Sequence, residues 1–172
     1  MPVIRTKKFI LRPFKRGDEI SLVKNINSKK IAKYTLRIPY PYTLKDASSW
    51  VLQNSKLWRK KVKSSLNFAI DIGGEVVGGI GLNKIEGHEA ELGYWLGEKY
   101  WGKGIMTAAV KTLTEYVFKT LPLRRIYADV FLFNKASAKV LQKAGYRYEG
   151  RLRKHVLKNG KFIDALLFAR VR

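Results

Sequence analysis

The chain has 172 residues, 46% of them hydrophobic and 28% charged, enough apolar side chain to bury a core without disulfides or a metal. Its 35 Lys plus Arg against 13 Asp plus Glu leave a formal charge of +22, with no cysteine and only two histidines. That composition excludes a disulfide framework, a thiol nucleophile and thiolate metal sites, and it disfavours polyamines and other small polycations as substrates. A positive field of this size attracts RNA, an acidic protein surface or a polyphosphate ligand. The absence of cysteine and the presence of only Gln53 and Gln142 also suit a thermophile-like solvated surface, although such surfaces usually carry more glutamate. No apolar run approaches the ~18 residues needed to cross a bilayer. The first 14 residues alternate charge and apolarity, unlike a signal peptide, so a cytoplasmic protein without membrane contact is expected.

No linker, repeat or low-complexity block interrupts residues 1–172, which read as a single domain. Residues 7–14 (KKFILRPF) predict a first strand. Gly17-Asp18 marks a helix start ahead of Ile20, Val23 and Ile26. Pro39-Tyr40-Pro41 reads as a loop between helices. Thr43 with Asp46 forms a capping box for a helix over 44–62, whose Trp50 and Trp58 are expected in the core. The period then switches to two. Leu66, Phe68, Ile70 and Ile72 alternate, and Gly73-Gly74 turns the chain into a hairpin with 75–82. A strand over 89–96, a glycine-punctuated turn and a helix to about Phe118 follow. Ile126, Ala128 and Val130 alternate as the next strand, and Asn134 opens a short helix stopped by Gly145. Asn159-Gly160 joins strands 147–157 and 161–171. The order β-α-α-β-β-β-α-β-α-β-β predicts an α/β (α+β) fold. It would hold a single mixed, mostly antiparallel sheet with helices on both faces and one parallel crossover.

The segment with chemical content is Tyr94-Trp95-Leu96-Gly97-Glu98-Lys99-Tyr100-Trp101-Gly102-Lys103-Gly104-Ile105-Met106-Thr107. A strand ends, two glycines make a tight loop, and a helix begins at once. Amides at a helix start have no intrahelical partner and sit at the positive end of the macrodipole, so such a loop can grip phosphate through its main chain. It lacks the Lys-Ser/Thr of a Walker A loop and the third glycine and distal acid of a dinucleotide fold.

Four stretches together carry a resemblance. They are Leu11-Arg12-Pro13-Phe14, Leu92-Gly93-Tyr94-Trp95-Leu96, Trp101-Gly102-Lys103-Gly104-Ile105, and the Asn134-x-x-Ser137 helix ending in Gly145-Tyr146. Across nearly its whole length the chain resembles the GNAT family of acetyl-CoA-dependent N-acetyltransferases. It looks most like the Rim-type subgroup, which acetylates protein α-amino groups, notably of ribosomal proteins. The resemblance implies acetyl-CoA as donor, and with no cysteine and only two histidines no metal is expected. The pyrophosphate would lie on the amides of Gly102, Lys103, Gly104, Ile105, Met106 and Thr107. The pantetheine arm would pair with Trp95 and Leu96 where strands 89–96 and 125–131 splay. Asn134 would bond the arm, Lys143 would reach the phosphate end, and Lys99 and Lys103 would add charge. The chain departs from the family pattern at Trp101, where Arg or Gln is common, and at Met106, where Gly or Ala is common and the larger side chain is expected to narrow the approach to the loop. Leu141 replaces a general-acid tyrosine, and Val156 stands where the Rim-type pattern has its glutamate base.

Direct transfer needs a neutral amine, a polarised carbonyl and a proton for the departing thiolate. Glu91, within the strand that frames the donor, is the expected base. His155 is the runner-up, weakened because strand alternation points it away from the Val156 face. The Rim-type resemblance implies that Ser137 protonates or hydrogen-bonds the leaving sulfur, and the Leu96 N–H is expected to polarise the carbonyl oxygen. The expected acceptor is a protein N-terminus. One alternative is a small-molecule amine or amino acid, with Glu86, Glu89 and Glu98 as the acidic cluster for a cationic one. Another is a non-catalytic RNA- or ribosome-binding module, stacking bases on Tyr34, Tyr40, Tyr42, Trp50 and Trp58. The C-terminal hairpin offers an edge on which two copies could pair as a homodimer.

Overall fold

The alternating and glycine-turned segments fold as strands close to where the pattern places them. The computed structural model describes residues 2–59 and 64–172. In chain order these form β1 (Ile4–Arg5), β2 (Ile10–Arg12), α1 (Glu19–Ile26), α2 (Lys29–Tyr34), α3 (Leu44–Arg59), β3 (Leu66–Ile72), β4 (Glu75–Glu86) and β5 (Glu89–Leu96). A 3-10 turn (Glu98–Tyr100), α4 (Ile105–Thr120), β6 (Arg125–Phe131), α5 (Lys135–Lys143), β7 (Arg147–Lys158) and β8 (Lys161–Val171) complete the chain. The eight strands make one mixed sheet in the order β1-β2-β3-β4-β5-β6-β8-β7. The expected crossover is present: β5 and β6 run parallel, with Glu89, Ala90 and Glu91 opposite Arg125, Ile126 and Tyr127. The chain divides into two compact units, Met1–Asn83 with Gly93–Ile105, and Lys84–Leu92 with Met106–Arg172.

In the first unit, Thr6 folds the N-terminus back. Its hydroxyl donates to the Phe9 carbonyl and accepts from the Phe9 amide, pairing β1 with β2. The predicted strand 7–14 is accordingly shorter. Phe14, Leu22, Ile26, Ile31, Ala47 and Val51 pack in one cluster that also holds Tyr42, Trp50 and Trp95. Trp50 meets Phe14 edge-on at 5.9 Å and Trp58 meets Phe68 at 5.2 Å, so both tryptophans belong to packing. With Tyr42 only 7% exposed, three of the five aromatics proposed as an RNA-stacking surface are spent on the core, and that surface does not form. The Thr43–Asp46 box closes in both directions, with Thr43 N–H on Asp46 at 2.8 Å and Asp46 N–H on Thr43 at 3.2 Å. Of the helix predicted to residue 62, positions 60–62 lie outside the described residues.

Asp18 does stand at the start of α1, but its carboxylate makes no capping bond there. Arg12 claims it instead, donating from both terminal nitrogens at 2.8 Å while its Nε donates to Asp71 at 2.7 Å. Arg12, Asp18 and Asp71 are all nearly buried. Burial opposes the guanidinium charge, yet the bonds to the two carboxylates outweigh it and leave the Arg12 pKa raised. The Arg12 of the sequence motif is thus the clasp that holds β2, the start of α1 and β3 together.

In the second unit, α4 buries Ala109, Val110, Leu113 and Val117, and β6 buries Ile126, Ala128 and Val130 on one face. Tyr146, just beyond α5, shares a buried 2.8 Å hydrogen bond with Thr114 of α4. The β7–β8 hairpin turns at Asn159-Gly160, both with positive φ as a two-residue primed turn requires.

Candidate active site

The loop from β5 into α4 is shaped by backbone rather than by crowding. Gly102 and Gly104 have φ of +74° and +72°, and a Cβ added to either would meet nothing within 4 Å. Trp101 closes the loop by donating its indole N–H to the Leu96 carbonyl at 2.7 Å. This gives a function to the residue that departs from the family pattern, one that side-chain identity alone does not reveal. Lys103 lies 5.7 Å from the centre of the Tyr100 ring, and Lys99 is exposed. No acidic residue occupies the first turn of α4. Ile105 and Met106 are each 6% exposed, so the Met106 side chain turns into the core. The expectation that it narrows the approach to the loop is therefore corrected. An exposed glycine loop feeding a 16-residue helix without first-turn acid suits the phosphate end of a nucleotide-bearing donor.

Trp95 and Leu96 end β5 within the first unit. A Cβ on Gly79 would overlap the Trp95 indole nitrogen, and one on Gly78 would lie 2.8 Å from the Trp95 carbonyl oxygen. Gly78 and Gly79 of β4 thus leave the space that Trp95 occupies. Gly97 N–H returns to the Val77 carbonyl at 2.8 Å, which fixes the direction in which Leu96 leaves the strand.

On α5 of the second unit, Asn134 is the N-cap, its side-chain oxygen accepting from Ser137 N–H at 3.2 Å. Ser137 is half-buried in the first turn, and Lys143 is exposed in the last. Leu141 is fully buried, so the position of the family's acid tyrosine is a packing position here.

The same unit carries a polar face that the pattern only partly foretold. Glu91 on β5 stands opposite Tyr127 on β6. Lys84 Nζ lies 2.8 Å from Glu91 Oε2 as an ion pair. Contact with Glu91 raises the Lys84 pKa against a smaller desolvation effect. Burial raises that of Tyr127, with Lys84 opposing and Glu91, Glu89 and Asp129 adding to the rise. Two residues along β6, Asp129 is 16% exposed and faces His155, whose Nε2 lies 3.0 Å from Asp129 Oδ2. Alternation predicted the opposite orientation for His155. The β7–β8 ladder instead takes four steps from Leu152 to Val156 against two from Ala165 to Ile163. Lys154 in this bulge has φ +51°. As a result Val156 packs with Phe131 and Ala165 while His155 reaches Asp129, so successive β7 residues meet one face of β6. Two of the three acids proposed as a cluster are matched locally, Glu89 with Arg125 at 3.4 Å and Glu98 with Lys30 at 2.9 Å.

Residues 8–147 match the family described as Acetyltransferase (GNAT) domain. The chain belongs to the GNAT acetyltransferase family. It is therefore an acetyl-CoA-dependent acyltransferase of the N-acetyltransferase type. It is similar to the uncharacterized N-acetyltransferase p20 of Bacillus licheniformis, at 30% identity over 98% of this chain and 96% of that one. The L-amino acid N-acetyltransferase AaaT of Escherichia coli (strain K12) is 30% identical over 80% of this chain and 82% of its own. The ribosomal-protein-serine acetyltransferase of the same organism is 33% identical over 56% of this chain and 55% of its own. Among solved structures, RimL, described as a ribosomal L7/L12 alpha-N-protein acetyltransferase in complex with coenzyme A, superposes with a TM-score of 0.88. Its identity is 23%, covering 99% of this chain and 98% of that one, and the likeness shows the fold. Among the described residues, no helix is long and apolar enough to cross a membrane, and no group of three or more His, Cys, Asp or Glu is placed to hold a metal ion.

Proposed function

We propose that this acetyltransferase transfers acetyl directly from acetyl-CoA to a protein N-terminal α-amino group. The observation that carries the donor side is the open Gly102–Gly104 loop leading into the acid-free start of α4. In this reading the amides of Gly102, Lys103, Gly104, Ile105, Met106 and Thr107 hold the phosphates, with Lys143 adding charge. Trp95 and Leu96 offer backbone to the arm, and Asn134 a side-chain amide. Bound acetyl-CoA supplies an activated thioester. The Leu96 N–H polarises its carbonyl, and Ser137 serves the departing sulfur. An α-amine, with an ordinary pKa of about 7.7–8.0, is partly neutral near pH 7, whereas a lysine near 10.4 asks far more of a base. The partial match to a ribosomal-protein-serine acetyltransferase supports the protein acceptor. The +22 charge supports docking on an anionic assembly such as ribosomal RNA while the N-terminus enters.

The test is calorimetric titration with acetyl-CoA, followed by mass spectrometry of an acceptor panel. The panel holds peptides with free α-amines, peptides with blocked α-amines and a lysine, free L-amino acids and polyamines. Acetylation of free peptide α-amines is the expected result. Transfer confined to free L-amino acids would move the acceptor to the class in the name of AaaT. Absence of acetyl-CoA binding would overturn the assignment of the loop.

A further inference from the structure

We propose that Asp129 and His155 form the proton-accepting pair of this enzyme, His155 as the base and Asp129 as its positioning residue, with Glu91 serving as the counter-ion of Lys84. This assignment rests on the acetyl-transfer reading above. A carboxylate only accepts, so the 3.0 Å contact puts the proton on His155 Nε2 and leaves the lone pair on Nδ1. Asp129 is nearly buried while the imidazole is 44% exposed, so the anchor is shielded and the working nitrogen is reachable. The second oxygen of the anchor, Asp129 Oδ1, is buried without a hydrogen-bond partner. The geometry is imposed by the β7 bulge. Lys154 is held at φ +51° by its N–H to Asp164 Oδ1 at 2.7 Å, and Arg151 Nε donates to the other Asp164 oxygen at 2.8 Å. Lys84, the partner of Glu91, is likewise left-handed at φ +46°. Such backbone gathers where function requires it. Placement agrees: Asp129 lies toward the carboxyl end of β6, where open sheets receive ligands. Leu132 N–H bonds the Asp164 carbonyl at 2.9 Å, tying the bulge to the segment that enters the Asn134–Ser137 cap.

In the step so assigned, the amine nitrogen bonds to the thioester carbonyl carbon as its proton passes to His155 Nδ1. The carbon–sulfur bond breaks, the sulfur keeps the electron pair and takes the Ser137 hydroxyl proton, and the proton on His155 returns to Ser137 through solvent. His155 faces Asp129, which is itself coupled to Lys84 and Tyr127, and Arg153 and Lys154 precede it on β7. The test is acetylation of a free-α-amine peptide by wild type, His155→Gln, His155→Ala, Asp129→Asn, Glu91→Gln and His88→Gln across the pH range. His88, the other imidazole, is exposed beside the β4–β5 turn and serves as control. His155→Gln is expected to lower kcat by about 10²–10⁴ with KM for acetyl-CoA held, and to abolish the acidic limb of the pH–rate profile. Free imidazole should restore part of the His155→Ala rate, which a structural role would not allow. Asp129→Asn should lower kcat less and displace the limb, Glu91→Gln should keep the limb, and His88→Gln should match wild type. A His155→Gln profile like that of wild type, or loss of the limb in Glu91→Gln alone, overturns the assignment. A wild type that acetylates no amine in the acceptor panel overturns the function itself, and with it this pair.

Discussion

Replacing Gly104 by alanine isolates the backbone demand of the loop, because a Cβ there meets no atom within 4 Å and only φ +72° resists it. Holding alanine in the left-handed region costs about 1–2 kcal/mol. If the loop relaxes instead, the phosphate-gripping conformation is populated about 5–30-fold less, and the apparent Kd for acetyl-CoA rises by that factor. Gly160, in the β7–β8 turn at φ +74° and equally uncrowded, is the matched control. Gly160→Ala should lower Tm by about 2–8 °C for a chain of this size and leave acetyl-CoA binding alone. Gly104→Ala, and Gly102→Ala at φ +74°, should weaken binding with a smaller loss of Tm. Isothermal titration and thermal melts on the three variants decide it. Wild-type affinity in Gly104→Ala and Gly102→Ala, with the stability loss seen in Gly160→Ala, would refute the amide-cradle argument.

Other outcomes follow from the same geometry. Arg12→Ala leaves two nearly buried carboxylates without their cation, so melts should show a loss of about 3–5 kcal/mol, or about 6–20 °C in Tm. Arg12→Lys should recover only part, since an ammonium cannot reproduce the forked bonds to Asp18. Asn134→Ser keeps an N-cap acceptor but removes the side-chain amide donor, so stability should hold while acetyl-CoA affinity falls; Asn134→Ala should lose about 1 kcal/mol of stability as well. Burial pushes Tyr146 up to about 12 from an ordinary value near 10. The fold therefore keeps a proton that the unfolded chain releases. The stability from this group is complete below about pH 10 and is lost progressively toward pH 12, about 3 kcal/mol in all. Denaturant titrations at pH 9 and above should show that loss reduced in Tyr146→Phe, and an equal loss in both proteins would contradict the assignment.

What could be read from the chain follows how local each determinant is. Gly73-Gly74, Asn159-Gly160 and the Thr43–Asp46 box act within a few residues, and each forms as its spacing requires. The Gly102–Gly104 loop was legible for the same reason, a strand end and a helix start meeting at two glycines. By contrast, α2 is six residues capped by Ser28, too short for a periodicity to register. Asp18 looks like a cap in sequence and is spent on Arg12 in space, a choice set by Asp71, 53 positions away. Trp101 reads as a departure from a pattern until its bond to the Leu96 carbonyl is seen.

His155 is the instructive failure. Period-two reasoning assumes an unbroken ladder, and two extra residues on β7 void that assumption between Leu152 and Val156. Nothing local announces the insertion, since Arg153 and Lys154 are neither glycine nor proline. Its cause is Asp164 on the facing strand, which accepts from the Lys154 amide and from Arg151 and so rewards a bent β7. A carboxylate that bends one strand thereby aims a histidine at a second carboxylate on another. The side chain that alternation alone sets aside is thus the one that meets the Asp129 carboxylate.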